Sequence, residues 1–84
     1  MEVVVRKPTE GEKIYMQKEA VWECGVSKFN WHYDHNETCL LFEGQATVEF
    51  NGGSVSFGAG DLVVFPKGMD CVWNVLVPVK KYVR

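Results

Sequence analysis

Residues 60–71, which read GDLVVFPKGMDC, decide the fold of this chain. A glycine opens the stretch, four residues that favour β-structure follow, and a Pro-x-Gly turn at 66–68 closes it. β-Branched and aromatic side chains are typical of strands, whereas glycine and proline mark turns. The stretch therefore predicts a short strand between two tight turns, with Cys71 at the start of the next strand.

The rest of the chain repeats this alternation of short strands and turns. We predict strands at residues 3–5, 15–23, 27–33, 38–42, 46–50, 54–57, 62–65, 71–75 and 79–83. The turn Asn51-Gly52-Gly53 is typical of a hairpin. No segment keeps a helical period over three turns, and we expect residues 14–24 to be extended or irregular. The pattern indicates an all-β sandwich or barrel, in a single domain over residues 1–84.

Composition and charge exclude several classes of partner. The chain has 84 residues, 9 Lys and Arg, 11 Asp and Glu, and a net charge of −2. No basic surface for nucleic acid is evident, and Lys80, Lys81 and Arg84 are expected to form a solvated terminus. No apolar run is long enough to cross a bilayer, so we expect no membrane partner. The N-terminal residues do not have the pattern of a secretory signal.

Cysteine usage and sheet edges bear on compartment and assembly. Three cysteines, an odd number, argue against a disulfide framework and favour thiols in a reducing cytoplasm. A small β domain leaves strand edges open to pairing, so we expect a homodimer. Residues 2–6 are the candidate strand for exchange or edge pairing.

Side-chain alternation predicts which residues face the interior. Residues two apart on a strand share a face, which groups Phe29, Trp31 and Tyr33, and likewise Cys71 with Trp73. If the apolar members of these sets face inward, Glu37 and Cys71 do so too. An inward carboxylate is costly unless it is hydrogen-bonded, bound to a metal or protonated. For Trp22 we expect packing.

The spacing of these residues resembles the two motifs of the cupin superfamily. The first motif corresponds to Gly25, Trp31-His32-Tyr33, Glu37 and Gly44, and the second to Gly60, Pro66-Lys67-Gly68, Cys71 and Val75. The resemblance is strongest over residues 22–84. It is closest to the small single-domain cupins related to ureidoglycine aminohydrolase and the ethanolamine-utilisation cupins. It implies a double-stranded β-helix, a jelly-roll-like barrel that binds a small molecule.

The resemblance also implies a metal site, from which this sequence departs. Of four ligand positions only Glu37 matches, because Trp31, Tyr33 and Cys71 stand where cupins have histidines. Glu37 and Cys71 are the candidate metal ligands, and a mononuclear site generally needs three or four. We therefore expect a pocket without a tightly bound metal, and the cofactor stays open.

The leading functional prediction is a small-molecule-binding cupin that acts as an enzyme on a small polar metabolite. A carboxyl enclosed by aromatic rings loses hydration, which suits Glu37 to general acid–base catalysis. Tyr33 would donate a hydrogen bond, and Cys71 is a candidate nucleophile without a visible basic partner. The candidate substrate-binding residues are Trp31, Trp73, Phe29 and His35. Two alternatives remain: a non-catalytic ligand-binding or structural cupin, and a metal-dependent enzyme using Glu37 and Cys71 with His35.

Overall fold

A computed structural model of the chain describes residues 2–84 and contains one antiparallel sheet of seven strands and one short helix. The elements are β1 (Val4–Arg6), α1 (Glu10–Met16), β2 (Ala20–Cys24), β3 (Ser27–His32), β4 (Glu37–Phe50), β5 (Gly53–Gly58), β6 (Leu62–Phe65) and β7 (Asp70–Val83). Neighbouring strands follow the order β1-β6-β4-β7-β2, while β3 also pairs with β7 and β5 with β4. The all-β prediction is confirmed.

Two long strands, β4 and β7, form the centre of the sheet, and each is longer than expected. We predicted two strands with a break at Glu43-Gly44 and another two with a break at 76–78, but each pair is continuous and the register shifts between Leu41 and Ala46. Gly44 has φ +95°, and a Cβ atom there would lie 2.3 Å from the carbonyl oxygen of Pro78. The glycine thus marks a bulge that bends two strands together, which is a common way to curve a sheet.

The segment predicted to be extended from residue 14 begins instead with the end of a helix. Thr9 caps α1: its hydroxyl accepts from the Glu12 N–H, and the Glu12 carboxylate accepts from the Thr9 N–H, forming a capping box. Met16 packs with Leu40 and Leu62 on the outer face of the sheet, so the helix covers apolar residues that the barrel interior does not enclose. The expectation of an extended conformation is therefore wrong for residues 14–16. Strand β2 begins only at Ala20.

The main core lies on the inner face of the curved sheet. Trp73, Phe65, Val48 and Val75 are almost completely buried there, in the alternation that the sequence predicts. The aromatic rings contact one another, with ring centroids of Phe65 and Trp73 5.6 Å apart. Aromatic side chains thus supply much of the buried apolar surface of this small domain.

The two turns around β6 fix that strand against β4. The Gly60 N–H donates to the Leu41 carbonyl at 2.8 Å, and the Asp61 carboxylate accepts from the Gly58 N–H at 2.9 Å. Gly60 and Gly68 both have positive φ, which glycine adopts without strain. The strand and turns predicted from residues 60–68 are confirmed. Their pairing places Glu37, at the start of β4, opposite Phe65.

Candidate functional site

A cavity of about 270 Å³ opens at one end of the barrel, between β2, β3 and the start of β4, with β7 behind it. Its walls are mostly aromatic, and two charged side chains and one hydroxyl reach it. The lining residues are Ala20, Val21, Trp22, Phe29, Trp31, Tyr33, Glu37, Trp73, Lys81 and Val83. Concave apolar sites with a few converging polar groups are typical of small-molecule binding.

The Pro-x-Gly turn positions Tyr33 beside this cavity. The Tyr33 N–H donates to the Met69 carbonyl at 3.0 Å, and its carbonyl accepts from the Gly68 N–H at 2.6 Å. The Asn36 side-chain oxygen accepts from the Lys67 N–H at 2.7 Å, which ties the loop before Glu37 to the same turn. The turn at residues 66–68, which helps to decide the fold, therefore also positions two predicted site residues, Tyr33 and Glu37.

The Tyr33 side chain is buried and has one hydrogen bond. Its oxygen accepts from the Trp73 indole N–H at 3.0 Å, and its ring stacks on Phe65 with centroids 4.6 Å apart. Burial, followed by the negative charge of Glu37, raises the pKa of Tyr33 above its usual range, so the hydroxyl keeps its proton. Among residues 2–84 no acceptor receives that proton. The hydroxyl can therefore donate to a ligand.

Glu37 has a partner that the sequence analysis missed. The Lys81 ammonium donates to a Glu37 carboxylate oxygen at 3.1 Å, and only 5% of the Lys81 side chain and 12% of the Glu37 side chain are exposed. The ammonium also lies 4.6 Å from the ring centroids of both Trp22 and Trp73, within cation–π distance. The expectation that Lys81 belongs to a solvated terminus is wrong.

A sequence signal for Lys81 exists. Val79, Lys81 and Val83 share one face of β7, so the alternation that directs the two valines inward directs the lysine inward too. Burying either charge without the other would be unfavourable, and the ion pair offsets that cost for both groups. Trp22, assigned to packing, packs on the core and also contacts the ammonium at the cavity.

The donor set at this site does not fit a divalent metal. No group of three His, Cys, Asp or Glu side chains suited to a metal ion occurs within residues 2–84. The nearest carboxylate, Glu37, is already bound to a cation of the protein, and the Tyr33 hydroxyl is a protonated phenol. Divalent metals in proteins generally require several deprotonated or neutral nitrogen and oxygen ligands. A fixed ammonium occupies the position next to the carboxylate instead.

The other predicted residues divide into two groups. Phe29, Trp31, Tyr33, Glu37 and Trp73 line the cavity together, whereas His35 and Cys71 do not. Phe29 stacks on Trp73 with an interplanar angle of 4° and a centroid distance of 6.2 Å, and Trp31, 48% exposed, stands at the mouth.

Cys71 and His35 lie in surroundings that differ from those of the cavity. Cys71 packs in the core, where burial and then the charge of Asp70 raise its pKa to about 11, so the thiol is protonated at neutral pH. His35 is exposed and hydrogen-bonded to Asp34 at 2.8 Å. His32 is exposed, and its Nδ1 lies 2.7 Å from a carboxylate oxygen of Asp70.

Comparison with known proteins gives a consistent result. Residues 10–82 match the family model of the EutQ-like cupin domain. A DUF861 family protein from Thermotoga maritima is 43% identical, with a TM-score of 0.93 over 99% of this chain and 98% of that one. No curated protein matches the chain significantly.

Two EutQ structures share the fold at lower identity. The Clostridium difficile EutQ protein is 25% identical with a TM-score of 0.68, and EutQ from Salmonella typhimurium is 22% identical with a TM-score of 0.69. In both cases 75% of this chain aligns with 51% of the relative. Over residues 2–84, no helix is long and apolar enough to cross a membrane.

Proposed function

The chain belongs to the EutQ-like cupin domain family, and from that premise we propose that it binds a small polar metabolite in the aromatic cavity without using a metal. The observation that carries the proposal is the polar group set at the cavity. The ion pair of Glu37 with Lys81 and the Tyr33 hydroxyl, whose O–H has no acceptor within residues 2–84, line a cavity of about 270 Å³. This volume lies just below the range of drug-sized pockets, which suits a metabolite.

The arrangement also supports catalysis by proton transfer, the function we favour for the bound metabolite. Glu37 would act as a general base or acid on the ligand, and Tyr33 would donate to an oxygen on which charge develops. Lys81 would hold the carboxylate in place and contribute a positive charge, the electrostatic part that a metal has in other sites. Cys71 has no part in this proposal, because its protonated thiol lies outside the cavity lining.

A thermal-shift screen of small amides, amino acids and sugars tests the binding proposal. We expect hits whose stabilisation is lost in Tyr33→Phe and Glu37→Gln but retained in His35→Ala, a matched control outside the cavity. Hits that survive both cavity substitutions would show that the ligand binds elsewhere.

Turnover is then tested on each hit by NMR of the ligand. The native protein should convert the ligand, whereas Glu37→Gln should leave it unchanged. Equal inertness of the native protein would favour the alternative of a non-catalytic ligand-binding cupin.

We also propose a homodimer formed by an open sheet edge. Over residues 2–84, β2 and β3 pair with β7 alone, so together they leave a long edge whose outer side is unpaired. Glu23 and Lys28 are exposed and lie at equal distances from the bend at 25–26. Antiparallel pairing of two copies about that bend would place Glu23 of each opposite Lys28 of the other. β1, the other candidate for exchange or edge pairing, also lies at an edge of the sheet, next to β6.

Light scattering on charge variants tests this assembly. Lys28→Glu alone and Glu23→Lys alone should each weaken the dimer, because both place like charges across the interface. Mixing the two variants should restore it, because every cross-strand pair then has opposite charges. A native protein that is monomeric, or a mixture that stays monomeric, would contradict the proposed edge.

The three free cysteines support a reducing compartment, the cytoplasm.

A further inference from the structure

The charges at the cavity restrict the chemical class of ligand. The two charged side chains that line it, Glu37 and Lys81, have opposite signs and bind each other. The pair is mostly shielded from water, as the exposed fractions of 12% and 5% indicate. A net-charged ligand would therefore place an uncompensated charge in a poorly solvated site, which is unfavourable. The charge balance favours a ligand with no net charge.

The hydrogen-bonding groups at the cavity that have no protein partner within residues 2–84 indicate which polar atoms that ligand carries. One carboxylate oxygen of Glu37 accepts from Lys81, and the other has no protein donor within residues 2–84. The Lys81 ammonium is engaged by Glu37 and by the faces of two indole rings. The Tyr33 hydroxyl retains its proton. The site thus offers an acceptor on Glu37 and a donor on Tyr33.

The walls of the cavity select for a flat ligand. Phe29 and Trp73 lie nearly parallel, and Trp22 and Trp31 complete an aromatic enclosure. Trp31 is half exposed at the mouth, where it is available to cover a ligand face. Planar groups stack on such rings more favourably than on aliphatic side chains.

We infer that the ligand is a small, planar, uncharged amide, with an N–H that donates to Glu37 and a carbonyl oxygen that accepts from Tyr33. This inference rests on the proposed function and specifies its substrate class. An amide carries a donor and an acceptor on one planar group, with both atoms bound to the carbonyl carbon, which matches the free oxygen of Glu37 and the O–H of Tyr33. A carboxylate lacks the donor, and an ammonium lacks the acceptor.

Benzamide, benzoate and benzylamine form a probe series with one ring and three charge states. Binding is measured by NMR titration of the indole N–H signals, because the Trp73 N–H is bonded to Tyr33 and reports on the cavity. We expect benzamide to bind at least about tenfold more tightly than either charged probe, which corresponds to about 1.4 kcal/mol. The cavity indole signals should shift on binding.

Charge variants give a second readout, which loss of a hydrogen bond alone would not produce. Glu37→Gln leaves the site with a net positive charge and should move the preference toward benzoate. Lys81→Met leaves a net negative charge and should move it toward benzylamine. Circular dichroism confirms that each variant is folded before titration, and the ranking in the native protein is decisive if either is not.

The outcomes separate the two proposals. If benzoate or benzylamine binds best to the native cavity, the amide inference is overturned and the proposed function stands. If none of the three probes shifts an indole signal, both the inference and the proposed binding cavity are overturned.

Discussion

Replacing Lys81 by methionine tests the ion pair around which the site is built. Lys81→Met keeps most of the side-chain volume but removes the ammonium 3.1 Å from Glu37. Breaking a buried ion pair from one side costs about 3–5 kcal/mol, because it leaves a charge without a partner. Glu37 retains 12% exposure, so we take the lower end, about 3 kcal/mol.

The consequence is measurable by thermal and urea unfolding. In a domain of this size each kcal/mol shifts Tm by about 4–8 °C, so Lys81→Met should lower Tm by roughly 12–24 °C. The double variant Glu37→Leu with Lys81→Met removes both charges. It should recover most of the loss, since replacing a whole buried pair by apolar residues is often neutral or stabilising.

A double-mutant cycle isolates the pair. We expect a coupling energy of at least about 2 kcal/mol between Glu37 and Lys81 from urea unfolding at pH 7. Lys80→Met, at the neighbouring lysine whose side chain is 43% exposed, serves as control and should change stability by less than about 1 kcal/mol. A Lys81→Met cost as small as that of the control, or additive single and double variants, would refute the reasoning.

Three further predictions concern the scaffold. Gly44→Ala should lower the free energy of unfolding in urea by about 1–3 kcal/mol or more, because Gly44 has a positive φ and a close backbone contact. Gly25→Ala, with open space around it, should change this free energy little. Equal losses in the two variants would contradict the bulge geometry. The hydrogen bond from Arg6 lowers the pKa of the helix-capping carboxylate of Glu12 to about 2, so its stabilising contribution is present above pH 4.5 and is lost as the pH falls through about 2. The Tm difference between the native protein and Glu12→Gln should therefore shrink over that pH range. A constant Tm difference would exclude the effect. At pH 7.5 an alkylating reagent should modify half-buried Cys24 well before Cys71, whose pKa is raised to about 11. If mass spectrometry showed Cys71 modified first, the thiol of Cys71 would not be buried as described.

Most of the fold could be predicted because its turns are specified locally. Gly60 and the Pro-x-Gly turn at 66–68 limit the backbone conformations available, and their spacing sets the length of the strand between them. The error at α1 has a local cause too: the capping box of Thr9 and Glu12 starts a helix too short to show an apolar period. Tertiary contact of Met16 with the outer face of the sheet then stabilises it.

The candidate site could be predicted only in part, because it depends on strand pairing. Alternation along single strands identifies Tyr33, Glu37 and Trp73 as inward-facing residues. The neighbour of Glu37 is set by the register between β4 and β7, which shifts at the bulges. Lys81 therefore comes beside Glu37 through a long-range pairing that local sequence patterns do not specify.

Because this register is not visible in the sequence, Glu37 reads there as a lone carboxylate. Trp22 reaches the Lys81 ammonium only because β2 lies against β7. A solitary inward carboxylate suggests a metal ligand or a protonated acid, whereas an ion-paired one needs neither. The chemistry proposed for the cavity follows from this difference.

The Lys81 ammonium neutralises Glu37 in the structure, and we propose that no metal ion takes its place in the native protein. The most direct test is an anomalous difference map from crystals of the native protein grown with excess Mn²⁺ or Ni²⁺. We expect no anomalous peak at Glu37 and a Lys81 nitrogen within hydrogen-bonding distance of its carboxylate. A metal ion bound to Glu37, with Lys81 displaced, would contradict it.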